Sequence, residues 1–118
     1  MARNEIDLDA LLHVPELFGQ GGSSLGDLFV DAGVLSTDDD TLTAMVHDRL
    51  ADEPRFIESW QEYSYDKRST PSPYLDGLEV GHYDAGRRNV RTHSTVVSAC
   101  ADFVLREVRW VTEHRVVE

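Results

Sequence analysis

Tyr74-Leu75-Asp76-Gly77-Leu78-Glu79-Val80-Gly81-His82-Tyr83 is the stretch on which the fold class turns. Leu78, Val80 and His82 alternate with Glu79, Gly81 and Tyr83, and a period of two belongs to a strand. Asp76-Gly77 is a hairpin-turn dipeptide, which makes Tyr74-Leu75 a short preceding strand. Asp84-Ala85-Gly86 reads as a second turn, and Arg88 to Arg91 as a third short strand.

The rest of the chain has helical spacing. After the strands, Thr92 or Ser94 is placed to cap a long last helix, in which Val96, Val97, Cys100, Phe103, Val104, Val108 and Val111 form a wide apolar face. Before them, Ser69-Thr70-Pro71-Ser72-Pro73 reads as an extended connector. Upstream of the connector, Phe56, Ile57, Trp60 and Tyr63 share one helical face, with Pro54 suited to the first position of that helix and Lys67 near its end. Another helix is expected to start at Ser36 or Thr37, with Asp38, Asp39 and Asp40 in its first turn and Leu42, Met45, Val46 and Leu50 as its apolar stripe. Ser24 caps a third, carrying Leu25, Leu28, Phe29 and Ala32 and ending at Gly33. Asn4 opens a short first helix through Leu12, which Pro15 is expected to stop, leaving Gly19 to Ser23 as a loop.

The expected fold is therefore α+β: several helices, a two- or three-stranded antiparallel element and a long C-terminal helix, in one domain spanning residues 1–118. With 41% apolar and 28% charged residues the composition is that of a globular chain, so a packed core is expected. No apolar run reaches the roughly 20 residues of a membrane helix, and Met1 to Glu5 leads into acids without an apolar region. A single cysteine, Cys100, makes no internal disulfide, and together these features point to the cytoplasm.

The net charge of −11 is unevenly spread. Residues 1–59 hold three arginines against thirteen Asp and Glu, a balance of −10, whereas residues 60–118 hold eight Lys and Arg against nine acids. Such a charge repels nucleic acid and anionic membranes and speeds encounter with a basic protein. Asp38-Asp39-Asp40 lacks the alternate acids, Gly and distal Glu of a calcium loop, so its plain reading is helix N-terminal charge. His82, Asp84 and His93 are a weaker acid–base or metal set with no supporting motif, and Cys100 falls on an apolar face as a small hydrophobe. No Gly-x-Ser-x-Gly elbow and no phosphate-binding Gly-rich loop is present. Trp60-Gln61-Glu62-Tyr63-Ser64-Tyr65-Asp66-Lys67-Arg68 mixes aromatics and charge; Trp60 and Tyr63 fit a core face, while Tyr65, Lys67 and Arg68 do not. Trp, Tyr and Arg are favoured interface anchors. Arg87, Arg88 and Arg91 form a second basic cluster, expected to pair locally, with the acidic first half as one source of partners.

The segment Trp60 to Arg68, the turn and strand Asp76-Gly77-Leu78-Glu79-Val80-Gly81, and Ala99-Cys100-Ala101-Asp102-Phe103 together resemble small uncharacterised bacterial proteins, some of the immunity-protein type that neutralise a cognate toxin. The resemblance covers about half the chain and transfers no site residue by residue. It implies a small non-enzymatic binding protein with one protein partner. The expected contact residues are Asp38, Asp39 and Asp40 for steering and Trp60, Tyr63, Tyr65, Lys67 and Arg68 for anchoring, with no catalytic, metal or cofactor residues. The alternative is a homodimeric structural or regulatory protein that pairs through the last helix.

Overall fold

The computed structural model describes residues 7–20, 25–34, 38–66, 72–83 and 85–113. Along the chain run α1 (Leu8–Leu12), α2 (Val14–Gln20), α3 (Leu25–Asp31), α4 (Asp39–Asp52), α5 (Arg55–Asp66), β1 (Ser72–Asp76), β2 (Glu79–Tyr83), β3 (Arg87–Thr92) and α6 (Val96–Glu113). The architecture is mixed α+β. The three strands form one antiparallel sheet in the order β1-β2-β3, and α6 is the long C-terminal helix. None of the described helices is long and apolar enough to cross a membrane.

Helix α6 organises the core. Its Ala99, Cys100, Phe103, Val104 and Val108 are buried, and it packs against α3, α4, α5, β1 and β2. The apolar stripes opposite it arrive as their spacing predicts: Leu42, Val46 and Leu50 from α4, and Phe56, Ile57, Trp60 and Tyr63 from α5. Each large apolar side chain so buried contributes roughly 1.5–3 kcal/mol. The sheet adds one face only. Leu75 and Val80 are buried in the core, while the alternate residues Tyr74, Asp76, Glu79, Gly81 and Tyr83 share the opposite face.

The hairpin pairs Asp76 with Glu79, so its two-residue turn is Gly77-Leu78, one position later than the Asp-Gly reading. Gly77 has φ +62 and Leu78 does not share a positive φ, the pattern of a II′ turn with Gly at its first central position. At the β2–β3 turn, Ala85 (φ +57) and Gly86 (φ +120) take the positive values. Pairing of Val80 with Arg91 but of His82 with Arg88 sets two β3 residues against Gly81, a β-bulge. Asn89 in the bulge has φ +53, which an Asn tolerates better than most side chains.

Helix boundaries depart from the sequence reading at several points, each for a local reason. The first helix ends at Leu12 as expected, but Pro15 does not end the helical run: after His13 the chain resumes as α2, with Pro15 in the first turn, where its missing N–H costs nothing. Gly19 and Gln20 therefore belong to α2 and not to a loop. The cap of α1 is Asp7, whose carboxylate accepts from the Ala10 N–H at 3.1 Å; Asn4 lies outside the described residues. Helix α4 is capped by Asp38 itself, and α6 by Thr95, whose hydroxyl accepts from the Ser98 N–H at 3.1 Å.

Candidate functional site

The three consecutive acids at the start of α4 have three different roles. The Asp38 carboxylate accepts from the Thr41 N–H at 3.1 Å and the Thr41 hydroxyl at 2.8 Å, and these bonds hold its pKa below the usual carboxylate value. Asp39 receives the Arg109 Nε at 2.6 Å, which ties α4 to α6. Asp40 is exposed and turned to a cleft. Asp40, Asp48 and Asp52 follow at helical spacing on the outer face of α4. Asp40 and Asp52 have no cation partner among the described residues, and Asp48 has only the His47 ring, at 3.7 Å.

The aromatic anchor cluster is divided by burial. Trp60 is fully buried, packed edge-on against Tyr63 and Phe103 at centroid distances of 5.5 and 6.1 Å. Tyr63 is buried beside it and donates its hydroxyl to the Glu107 carboxylate. Burial, with the Glu107 charge beside it, pushes the Tyr63 phenol far above its ordinary pKa. The i, i+3 spacing of Trp60 and Tyr63 places both on the core stripe of α5, so neither offers its ring to a partner. Tyr65 does, at 62% exposure. Lys67 and Arg68 lie outside the described residues.

Tyr65 lines a cleft of about 250 Å³ with Ser64, Tyr74, Leu75, Asp76 and Tyr83. Arg87 lies over the Tyr74 and Tyr83 rings, 4.9 and 5.6 Å from their centroids, and bonds Asp76 at 3.1 Å and Glu79 at 2.6 Å. This part of the basic cluster thus pairs locally as expected, but with acids of the hairpin and not of the first half. Burial and the bond to Glu79 raise the Tyr74 phenol to about 12.

A larger cleft, of about 570 Å³, opens between α4, β3 and α6. Asp40, Ala44, His47 and Asp48 form its α4 wall, Arg91 and His93 come from β3 and the residue after it, and Ala101, Asp102 and Leu105 lie along α6. At its base the His93 Nε2 meets the Asp102 Oδ2 at 2.8 Å, and the Arg106 Nε donates to the other Asp102 oxygen at 2.9 Å. Arg106 also donates from Nη1 to the carbonyl of Asn89 at 2.9 Å, so the bulge residue, the arginine, the carboxylate and the imidazole form one hydrogen-bonded chain linking β3 to α6.

His82 and His93 do not converge. The His82 ring stands edge-on to Trp110 at 4.7 Å, while His93 is committed to Asp102; Asp84 lies outside the described residues. Among the described residues no group of three or more His, Cys, Asp or Glu is arranged to hold a metal ion. Cys100 is buried, and desolvation pushes its thiol up to about 12, which removes the thiolate a nucleophile needs. The His93–Asp102 pair escaped sequence reasoning. Only the Asp102–Arg106 spacing of four on a helix signalled part of it.

Compared with known proteins, the chain matches no family model, and no curated protein or solved structure is significantly similar to it.

Proposed function

We propose that the protein is a small acidic binding protein that occludes one basic protein partner, in the manner of an immunity or inhibitor protein, without catalysing a reaction. One observation carries the reading. Of the twelve described acids in residues 1–59, eleven are exposed, so their charge is presented to solvent rather than consumed in the core. A surface of this sign attracts a basic partner over a Debye length, about 10 Å at moderate salt, and raises its encounter rate. On α4, Asp40, Asp48 and Asp52 are exposed and form no ion pair with a Lys or Arg among the described residues, so their charge is open to a partner. Tyr65 and the Tyr83–Arg87 pair next to it have the chemistry of anchors.

Self-association through the apolar face of α6 has less to draw on. That face is taken up by the core, with Val97, Leu105 and Val111 packed against the buried cluster.

The reading is tested by capture from the producing cells with the wild-type chain and an Asp40→Asn/Asp48→Asn/Asp52→Asn variant, washed at low and high salt. A single basic protein held near stoichiometrically by the wild type, released by salt and poorly retained by the variant is the expected result. Recovery of the chain alone, or of a partner indifferent to both salt and the substitutions, counts against it.

A further inference from the structure

The cleft between α4, β3 and α6 carries unpaired charge of both signs. Arg49, Arg55, Arg87, Arg106 and Arg109 each hold a carboxylate. Arg91 holds none among the described residues, although Asp40, Asp48 and Asp102 line the same cleft. Asp102 is already satisfied by His93 and Arg106. What is left is a negative wall on α4, a positive group at Arg91 and, lining the same cleft, the methyl and isobutyl groups of Ala44, Ala101 and Leu105. Flexible side chains of opposite charge gain about 1 kcal/mol in water by closing to contact. Here they line one cavity and stay apart.

We infer that this cleft binds a small linear zwitterion, an ω-amino-acid-like molecule with an ammonium and a carboxylate at the two ends of an aliphatic stem. The ammonium is received by one carboxylate of the α4 wall, Asp40 or Asp48, the stem lies on the apolar lining of Ala44, Ala101 and Leu105, and the carboxylate takes the two-pronged guanidinium of Arg91. At about 570 Å³ the cleft is within the size range of small-molecule sites, which are mostly apolar with a few placed polar groups. The hydrogen-bonded chain through Asn89, Arg106, Asp102 and His93 fixes the β3 end against α6, and the Arg109–Asp39 bond ties α4 to the same helix, so both charged walls are anchored on α6. The inference shares Asp40 and Asp48 with the partner reading and is told apart from it by Arg91, which plays no part in attracting a basic protein.

The test is titration of the full chain with 6-aminohexanoate, followed by calorimetry and backbone amide NMR, with n-hexylamine and hexanoate as single-charge controls. The expected result is saturable binding of 6-aminohexanoate, with shifts centred on residues 40–48, 91 and 101, and clearly weaker binding of both controls. Arg91→Gln and Asp40→Asn/Asp48→Asn each weaken it by about tenfold or more, the worth of a lost charge-assisted contact. All three positions are exposed, so an unchanged melting temperature shows that the variants fold. Absence of saturable binding overturns the inference. So does n-hexylamine binding as tightly as the zwitterion with no response to Arg91→Gln, which would mark a simple cation-attracting surface.

Discussion

His93 and Asp102, from the end of the sheet and the middle of α6, meet at 2.8 Å, and the remaining carboxylate oxygen of Asp102 holds Arg106 at 2.9 Å. One largely buried carboxylate therefore fastens the most exposed strand of the sheet to the central helix. Asp102→Asn leaves two donors short of a charged acceptor, and the expected loss is about 1–3 kcal/mol. Because β3 is solvent-exposed along its whole length, it has no buried apolar side chain to add to its ladder with β2 and the Arg87 ion pairs. Native-state hydrogen exchange is the direct check: amides of residues 87–92 exchange faster in the variant, while those in the centre of α6 keep their protection.

The Tyr63–Glu107 bond is a buried polar contact between α5 and α6. Tyr63→Phe takes a donor from a carboxylate that is 1% exposed, with an expected cost of about 1–3 kcal/mol in urea unfolding.

The Trp60 indole N–H is buried with no acceptor. Trp60→Phe removes that unsatisfied donor along with part of the ring, so the two effects offset. The expected loss is about 1 kcal/mol, against about 3–5 kcal/mol for Trp60→Ala, which leaves a cavity. Urea unfolding of the two variants side by side measures the difference.

Gly81 is needed under Tyr74. A Cβ at position 81 would sit 2.7 Å from the Tyr74 hydroxyl and 2.8 Å from its ring. Gly81→Ala is expected to cost about 1–3 kcal/mol in thermal unfolding, and the penalty shrinks in a Tyr74→Ala background, where the clash is gone.

Alkaline pH weakens the fold. Tyr63, Tyr74 and Cys100 all have folded-state pKa values raised by burial, the latter two to about 12, against ordinary values of 10.0 for the phenols and 9.0 for the thiol. Each group favours the fold while neutral. Its contribution is complete below the unfolded value and is lost as pH rises toward the folded one. Melting temperature is thus expected to fall from about pH 9 upward, and Cys100→Ala to flatten the first part of that fall.

Much of the fold is legible in the sequence because it is written locally. The alternation across residues 78–83 marks the sheet, and the apolar spacing of residues 96–111 marks α6. Helix α2 was hidden because Pro15 reads as a stop when it stands in a first turn, and nothing in the sequence distinguishes the two. The candidate site was less legible. Trp60 and Tyr63 have the residue types of an interface, but their i, i+3 spacing already put them on the core stripe, and burial follows the stripe. Asp38, Asp39 and Asp40 look equivalent as a run and become a cap, an ion pair and a carboxylate with no cation partner among the described residues only once Thr41 and Arg109 are in place. The large cleft is assembled from α4, β3 and α6, so its opposite charges meet only in three dimensions.

The account rests most heavily on steering by the acidic first half, and the most direct measurement is the association rate of the captured partner as a function of ionic strength, for the wild type and for Asp40→Asn/Asp48→Asn/Asp52→Asn. The account predicts a wild-type rate that falls steeply with salt, a variant about tenfold slower at low salt, and convergence of the two at high salt. An association rate indifferent to salt and to the three substitutions would contradict it, and the exposed acids of residues 1–59 would then be no more than a solvated surface.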